Sequence, residues 1–187
     1  AAGCVPPARL FDAEDQVGAT AALYMACANG HLPAARWLAE HFGLAASDGV
    51  TNTELALRVA CQSGDLSLVQ WVMAHFGLVR PTTAALFDTC AHGHSVVAAW
   101  FVQSFAFEQR EAGFALLAAC RRGHLTIAQW LAEQFALDAD NMQPNPSGAW
   151  GVVMCGGGDP QVTEWLVQHF GIAFTDPRIR SALYAAC

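Results

Sequence analysis

Apolar residues recur along this chain at helical spacing, in paired stripes separated by a glycine. Ala22, Leu23, Ala26 and Cys27 form one stripe that stops short of Gly30. Leu32, Ala35, Leu38, Ala39 and Phe42 form a second that stops at Gly43. Residues three and four apart share one face of a helix. Glycine just past each stripe is the residue for which a left-handed helix end costs least. The pattern predicts a helix–turn–helix unit. No stretch alternates with a period of two, so strands are not expected.

The unit repeats. Gly30, Gly64, Gly93, Gly123 and Gly158 hold equivalent positions, at steps of 34, 29, 30 and 35 residues. A tryptophan follows each by seven residues (Trp37, Trp71, Trp100, Trp130, Trp165) and a phenylalanine by twelve (Phe42, Phe76, Phe105, Phe135, Phe170). All length variation falls between that phenylalanine and the next cysteine, as it does when rigid helix pairs are joined by tolerant surface loops. Such a unit cannot bury its own apolar face, so the expectation is a solenoid of stacked neighbours. The repeats span about 18–48, 49–80, 81–110, 111–146 and 147–175, flanked by half-repeats at 1–17 and 176–187, all in one array. His31, Asp65, His94, His124 and Asp159 open the second helices, and Pro33 and Pro160 fit their first turns.

Ala-Leu-Tyr-Met-Ala-Cys-Ala-Asn-Gly-His at 22–31 and Ala-Leu-Leu-Ala-Ala-Cys-Arg-Arg-Gly-His at 115–124 resemble the ankyrin repeat, with its leucine, paired small residues and glycine–histidine turn. Second halves such as Leu-Thr-Ile-Ala-Gln-Trp-Leu at 125–131 resemble the divergent ankyrin repeats expanded in giant viruses and some protists. The resemblance covers nearly the whole chain. It departs from the family at the start of the first helix, where threonine–proline is missing. It departs again where Tyr24, Arg58, Phe87, Leu117 and Val152 replace a histidine. The connectors also lack a recurring aspartate–glycine finger. The resemblance therefore implies an all-α, ankyrin-like solenoid with its hairpin fingers reduced or absent. It further implies partner docking on a concave face built from first helices. There the exposed positions are Tyr24, Ala28, Asn29, Arg58, Gln62, Asp88, His92, Arg121 and Arg122.

Charge and composition narrow the function. A net charge of -7 argues against a general nucleic-acid binder. Arg121 and Arg122 with Arg110 form a small basic spot that reads as a solvated helix end. Only 13% of residues are charged and 54% are hydrophobic, against roughly 25% charged in an average globular chain. Alanine-rich composition accounts for part of this, and faces covered by something else are the other reading. No run is long enough for a bare membrane-spanning helix. The N-terminus does not resemble a signal peptide, and the absence of an initial methionine points to a fragment or a processed product.

Cys27, Cys61, Cys90, Cys120, Cys155 and Cys187 hold one repeat position. Stacked helices lie about 8–10 Å apart, too far for a disulfide, which needs α-carbons within about 7 Å. These thiols are expected to be reduced and buried, in an intracellular, cytoplasmic compartment, with a virion or filament as the alternative if the chain is structural. His31, His94 and His124 share the turn and are expected to hydrogen-bond locally. His41, His75 and His169 each follow a tryptophan by four residues and should stack on it. One histidine per repeat does not make a metal site, and neither a nucleophile–base pair nor a phosphate loop can be assembled. No cofactor, metal or catalytic residue is expected. The five indoles either seal neighbouring second helices or offer a contact surface for another molecule.

The two ends match. Residues 1–11 align with a second helix lacking its first, and residues 181–187 with a first helix lacking its second. Val5, Leu10 and Phe11 could meet Leu183 and Tyr184 of another copy or of a continuing chain. The sequence thus leads to a non-catalytic protein-interaction scaffold. The alternative is a structural subunit assembling end to end into a filament, tube or coat. The expected partners are another protein or further copies, not nucleic acid or membrane.

Overall fold

The structure is a computed structural model that describes residues 13–46, 51–138 and 159–171. Among the described residues it is all-helical, with nine helices and no strand. The chain divides into two compact units, Ala1–Arg80 and Pro81–Cys187, with the break at the expected start of the third repeat.

The first unit holds α1 (Ala13–Ala28), α2 (Leu32–Phe42), α3 (Thr53–Ser63) and α4 (Leu66–His75). α1 packs on α2 and α3, and α3 on α4. The second unit holds α5 (Thr83–Ala91), α6 (Ser95–Ser104), α7 (Gln109–Arg121), α8 (Leu125–Gln134) and α9 (Pro160–His169). There α5 packs on α6 and α7, and α7 on α8.

The repeat register explains both cores. Seven residues before the turn glycine stands a leucine (Leu23, Leu57, Leu86, Leu116), and every one is fully enclosed. Beside it lie the cysteine and the small residue one position earlier: Ala26, Ala60, Thr89 or Ala119. Small side chains let adjacent first helices approach closely, and the leucine fills what remains. Each such leucine contributes about 2 kcal/mol by burial. Second helices add Leu68, Val72, Val97, Phe101, Ile127, Leu131, Val162 and Leu166, all enclosed.

Local chemistry fixes the helix starts. The Asn52 side chain accepts a hydrogen bond from the Leu55 N–H, and the Thr82 hydroxyl one from the Ala85 N–H. Glu108 and Glu111 form a reciprocal capping box at the start of α7. The connectors at 77–82 and 105–108 carry no strand.

Several expectations lie outside the described residues. These are residues 1–12 of the first half-repeat with Val5, Leu10 and Phe11, the half-repeat at 176–187 with Leu183 and Tyr184, the first helix of the last repeat with Gly156, Gly157 and Gly158, and Cys155 and Cys187.

Candidate functional site

The turns are built in two ways. At His31, His94 and His124 the backbone sits near φ -89 to -85 and ψ 67 to 76, with no side-chain cap. This is an inverse γ-turn, closed by a bond from the following N–H to the glycine carbonyl, as from Leu125 to Gly123 at 3.0 Å. At Asp65 the carboxylate instead accepts from the Ser67 and Leu68 N–H groups at 2.8 and 3.1 Å. Asp159 accepts likewise from Gln161. Aspartate caps its own helix, whereas histidine leaves its ring free to reach elsewhere.

His124 does so. Its Nε2–H donates to the Ala91 carbonyl at 3.1 Å, which is the last residue of α5 and would otherwise lack an intrahelical donor. The expectation of a purely local bond is corrected here: this histidine ties its turn to the turn of the preceding helix pair. The ring lies so close to Gly93 that a Cβ added there would stand 2.7 Å from it. At the other end of the same helices the Thr83 hydroxyl donates to Glu111 at 2.6 Å. α5 and α7 thus run side by side in the same direction, pinned at both ends.

The second histidine row works similarly. His41, His75 and His169 stack on Trp37, Trp71 and Trp165, with ring centroids 4.8, 4.9 and 5.0 Å apart. The i, i+4 spacing anticipated this. In addition, His75 Nε2–H donates to the Leu44 carbonyl at 2.9 Å, and His169 Nε2–H to the Leu137 carbonyl at 3.3 Å. The His75 and His169 rings are braces between helix pairs, each within its own unit. Trp71, Trp100, Trp130 and Trp165 are half-buried, and Trp37 is exposed.

The cysteine ladder is closed. Cys27, Cys61, Cys90 and Cys120 form no disulfide and are buried. Burial pushes the Cys27 and Cys120 thiols up to about 12, far from the range of a reactive thiolate. Among the described residues, no three His, Cys, Asp or Glu side chains come together as a metal site would need.

The expected partner-binding positions fare unequally. Asn29 is exposed, its amide donating to the Met25 carbonyl. Ala28, Arg58 and Gln62 are half-buried. Tyr24 is half-buried too. Its hydroxyl accepts from the Asn52 N–H at 2.7 Å and so braces the start of α3. Asp88 is corrected: it is buried at 6% exposure and not on the surface. The position is enclosed where α5 and α7 pack together, as Ala118 in α7 shows, although Met25 at the same repeat position of α1 is exposed. His92 is exposed, with Nδ1–H donating to the Asp88 carbonyl. Arg121 and Arg122 are exposed.

The reading of Arg110 with Arg121 and Arg122 as one spot is also corrected. Arg110 stands in the first turn of α7 and Arg121 at its end. The residues missed were those between. Phe114 is 46% exposed with the Arg110 guanidinium 5.9 Å from its ring centroid, and Leu117 is half-buried. Their spacing with Arg110 and Arg121, at i, i+4, i+7 and i+11, was the available signal.

A scan against protein-family models and a search of curated proteins found no match for this chain. No helix among the described residues is long and apolar enough to cross a membrane.

Proposed function

We propose that the chain is a non-catalytic protein-binding module, each unit an ankyrin-like stack of helix pairs whose first helices carry the binding face. One observation carries this reading. Of the seven large apolar side chains exposed among the described residues, four lie on first helices: Val17, Met25, Leu55 and Phe114. Leu55 and Phe114 hold the same repeat position, nine residues before the turn glycine. Exposed apolar side chains recurring in register mark a contact surface more than chance exposure would. The second-helix indoles are engaged with their own histidines in three repeats, which favours their sealing role over a docking role. Partners thus dock on each unit by itself: along α1 and α3 in the first, chiefly through Leu55, Arg58 and Gln62, and along α5 and α7 in the second, chiefly through His92, Phe114, Arg121 and Arg122.

The test combines two measurements. Peptides selected from a displayed random library on the intact chain should slow hydrogen exchange over Thr53–Ser63 or Gln109–Arg121. Protection confined to Leu66–His75 or Leu125–Gln134 would overturn the choice of face. Sedimentation should give one species at all concentrations. Concentration-dependent growth with no selectable ligand would favour the end-to-end structural subunit instead.

A further inference from the structure

We infer that the outer stripe of α7 binds an extended acidic segment of a partner protein: carboxylates at both ends, an apolar residue between. The inference rests on the first-helix face proposed above and names what that face takes in the second unit. Arg110, Phe114, Leu117 and Arg121 fall within one 60° sector of the helix, given about 100° per residue. All four are exposed or half-buried. The stripe is cationic at each end and apolar in the middle.

Its length is fixed by the helix. Eleven residues at about 1.5 Å each separate the two guanidinium-bearing positions by about 16 Å. An extended chain covers that in about five residues. The neighbouring helix widens the apolar centre, because α5 lies alongside α7 in parallel and places Phe87 at the same repeat position as Leu117. Phe87 is half-buried, and His92 at the end of α5 is exposed.

Charge complementarity selects the occupant. The nearby acids already have partners. Glu111 accepts from the Thr83 hydroxyl and the Glu108 N–H, and the Glu108 carboxylate closes the capping box. Arginine's planar fork suits carboxylate pairs. A basic segment would meet three exposed guanidinium groups, counting Arg122. A uniformly acidic partner such as nucleic acid would leave Phe114 and Leu117 without apolar contact.

The probe is a fluorescein-labelled seven-residue peptide with two acidic residues at each end and a central leucine, titrated against the intact chain by anisotropy. A control peptide carries lysines in place of the acids. The acidic peptide should bind and the lysine peptide should not. Arg110→Glu with Arg121→Glu should weaken binding at least about tenfold, and Phe114→Ser several-fold, each with the melting temperature nearly unchanged. The neutral pair Arg110→Gln with Arg121→Gln should weaken it less and so reports on charge even if the reversal disturbs folding. Raising salt from about 50 to about 300 mM should weaken binding.

Equal binding of both peptides, no binding of the acidic one, or indifference to the double reversal would overturn the proposal. So would equal binding of a single-stranded DNA oligomer. Self-association abolished by the double reversal would place a second copy of this acidic chain on the stripe and overturn it too. The displayed library separates this failure from that of the wider reading. Ligands that ignore the double reversal but protect first helices leave the binding module standing and remove only the acidic stripe. No ligand of any kind removes both.

Discussion

The two units apply the same repeat register, yet fill equivalent positions with different chemistry. In the first, Gly64 is followed by Asp65, which caps its own helix. In the second, Gly123 is followed by His124, whose ring ties α5 to its neighbour. The first unit leaves α4 through Gly77, at φ 65, and the second leaves α8 through Ala136, at φ 47. At this turn the first unit relies on a local cap and the second on a bond between helix pairs, while elsewhere both units carry ties between pairs, from His75 to Leu44 and from His169 to Leu137. A turn at one repeat position can therefore be closed with ψ 105 at Asp65 or ψ 67 at His124, its stability drawn from a local source in one case and a cooperative one in the other. In repeat proteins the interface terms are what make neighbours fold together.

The largest expected effect tests what the units share. Cys27 in the first and Cys120 in the second are both protonated at pH 7, folded or unfolded, and so add no pH dependence there. Above the ordinary thiol value of 9.0 the unfolded chain releases protons that the folded chain retains until about 12. Stability must then fall with rising pH, by about 1.4 kcal/mol per pH unit for each thiol and about 4 kcal/mol across the window. Alkaline denaturant titrations should show this slope, and Cys27→Ala with Cys120→Ala should flatten it. An unchanged slope in the double variant would mean that these thiols are not held protonated by burial.

The next effect separates the two kinds of turn. Gly93 stands at φ 81 with the His124 ring against it, whereas Gly43, at φ 64, has open space where a Cβ would go. Gly43→Ala should cost about 1 kcal/mol, the left-handed conformation alone. Gly93→Ala should cost about 3 kcal/mol, because the ring must also move and give up the Ala91 carbonyl. In a His124→Ala background the cost of Gly93→Ala should drop towards that of Gly43→Ala. Additive costs in that double-mutant cycle would contradict the close packing.

That pair also marks how far the sequence was legible. The helix pairs followed from apolar spacing because each stripe is a local pattern. The stacking of His75 on Trp71 followed because four residues along a helix is a fixed distance. The bond from His124 to Ala91 did not follow, because its acceptor is a backbone carbonyl 33 residues away that carries no side-chain signature. Asp88 misled for a related reason. A carboxylate suggests exposure, but its position is enclosed in the second unit, as Ala118 in α7 also is, whereas Met25 at the same position of α1 is exposed. The α7 stripe was legible in principle, since its four positions share one helix face, but charge alone grouped its arginines with Arg122, and Phe114 and Leu117 carry none.

A smaller effect exchanges one kind of turn for the other. Asp65→Ala should cost about 1 kcal/mol through the lost cap, and Asp65→Asn almost nothing. His124→Ala should cost a similar amount through the lost bond to Ala91. His124→Asp should come close to neutral in total, gaining a cap on α8 while orphaning the α5 carbonyl. Its effect belongs in cooperativity: amide exchange in α5 should quicken relative to α7. Uniform exchange across both helices would mean that His124 is not the tie between them.

The smallest effect sits at the exits of α4 and α8, where the units differ by a single methyl. Gly77 and Ala136 each stand thirteen residues after the turn glycine. The residue after each donates its N–H back across the helix end, Leu78 to Met73 at 2.8 Å and Leu137 to Ala132 at 2.9 Å. The closing bond is the same, and in the second unit an alanine makes it in a conformation that disfavours a Cβ. Gly77→Ala should therefore destabilise by about 1 kcal/mol, since nothing lies near the added methyl to compensate. Ala136→Gly should stabilise, but by less, because glycine also gives the unfolded chain more freedom, which takes back about half of the strain relieved. A gain of about 0.5 kcal/mol in denaturant melts is the expected result. A loss on Ala136→Gly would mean that the Ala136 methyl makes a contact outweighing its strain, and that the two exits are not equivalent after all.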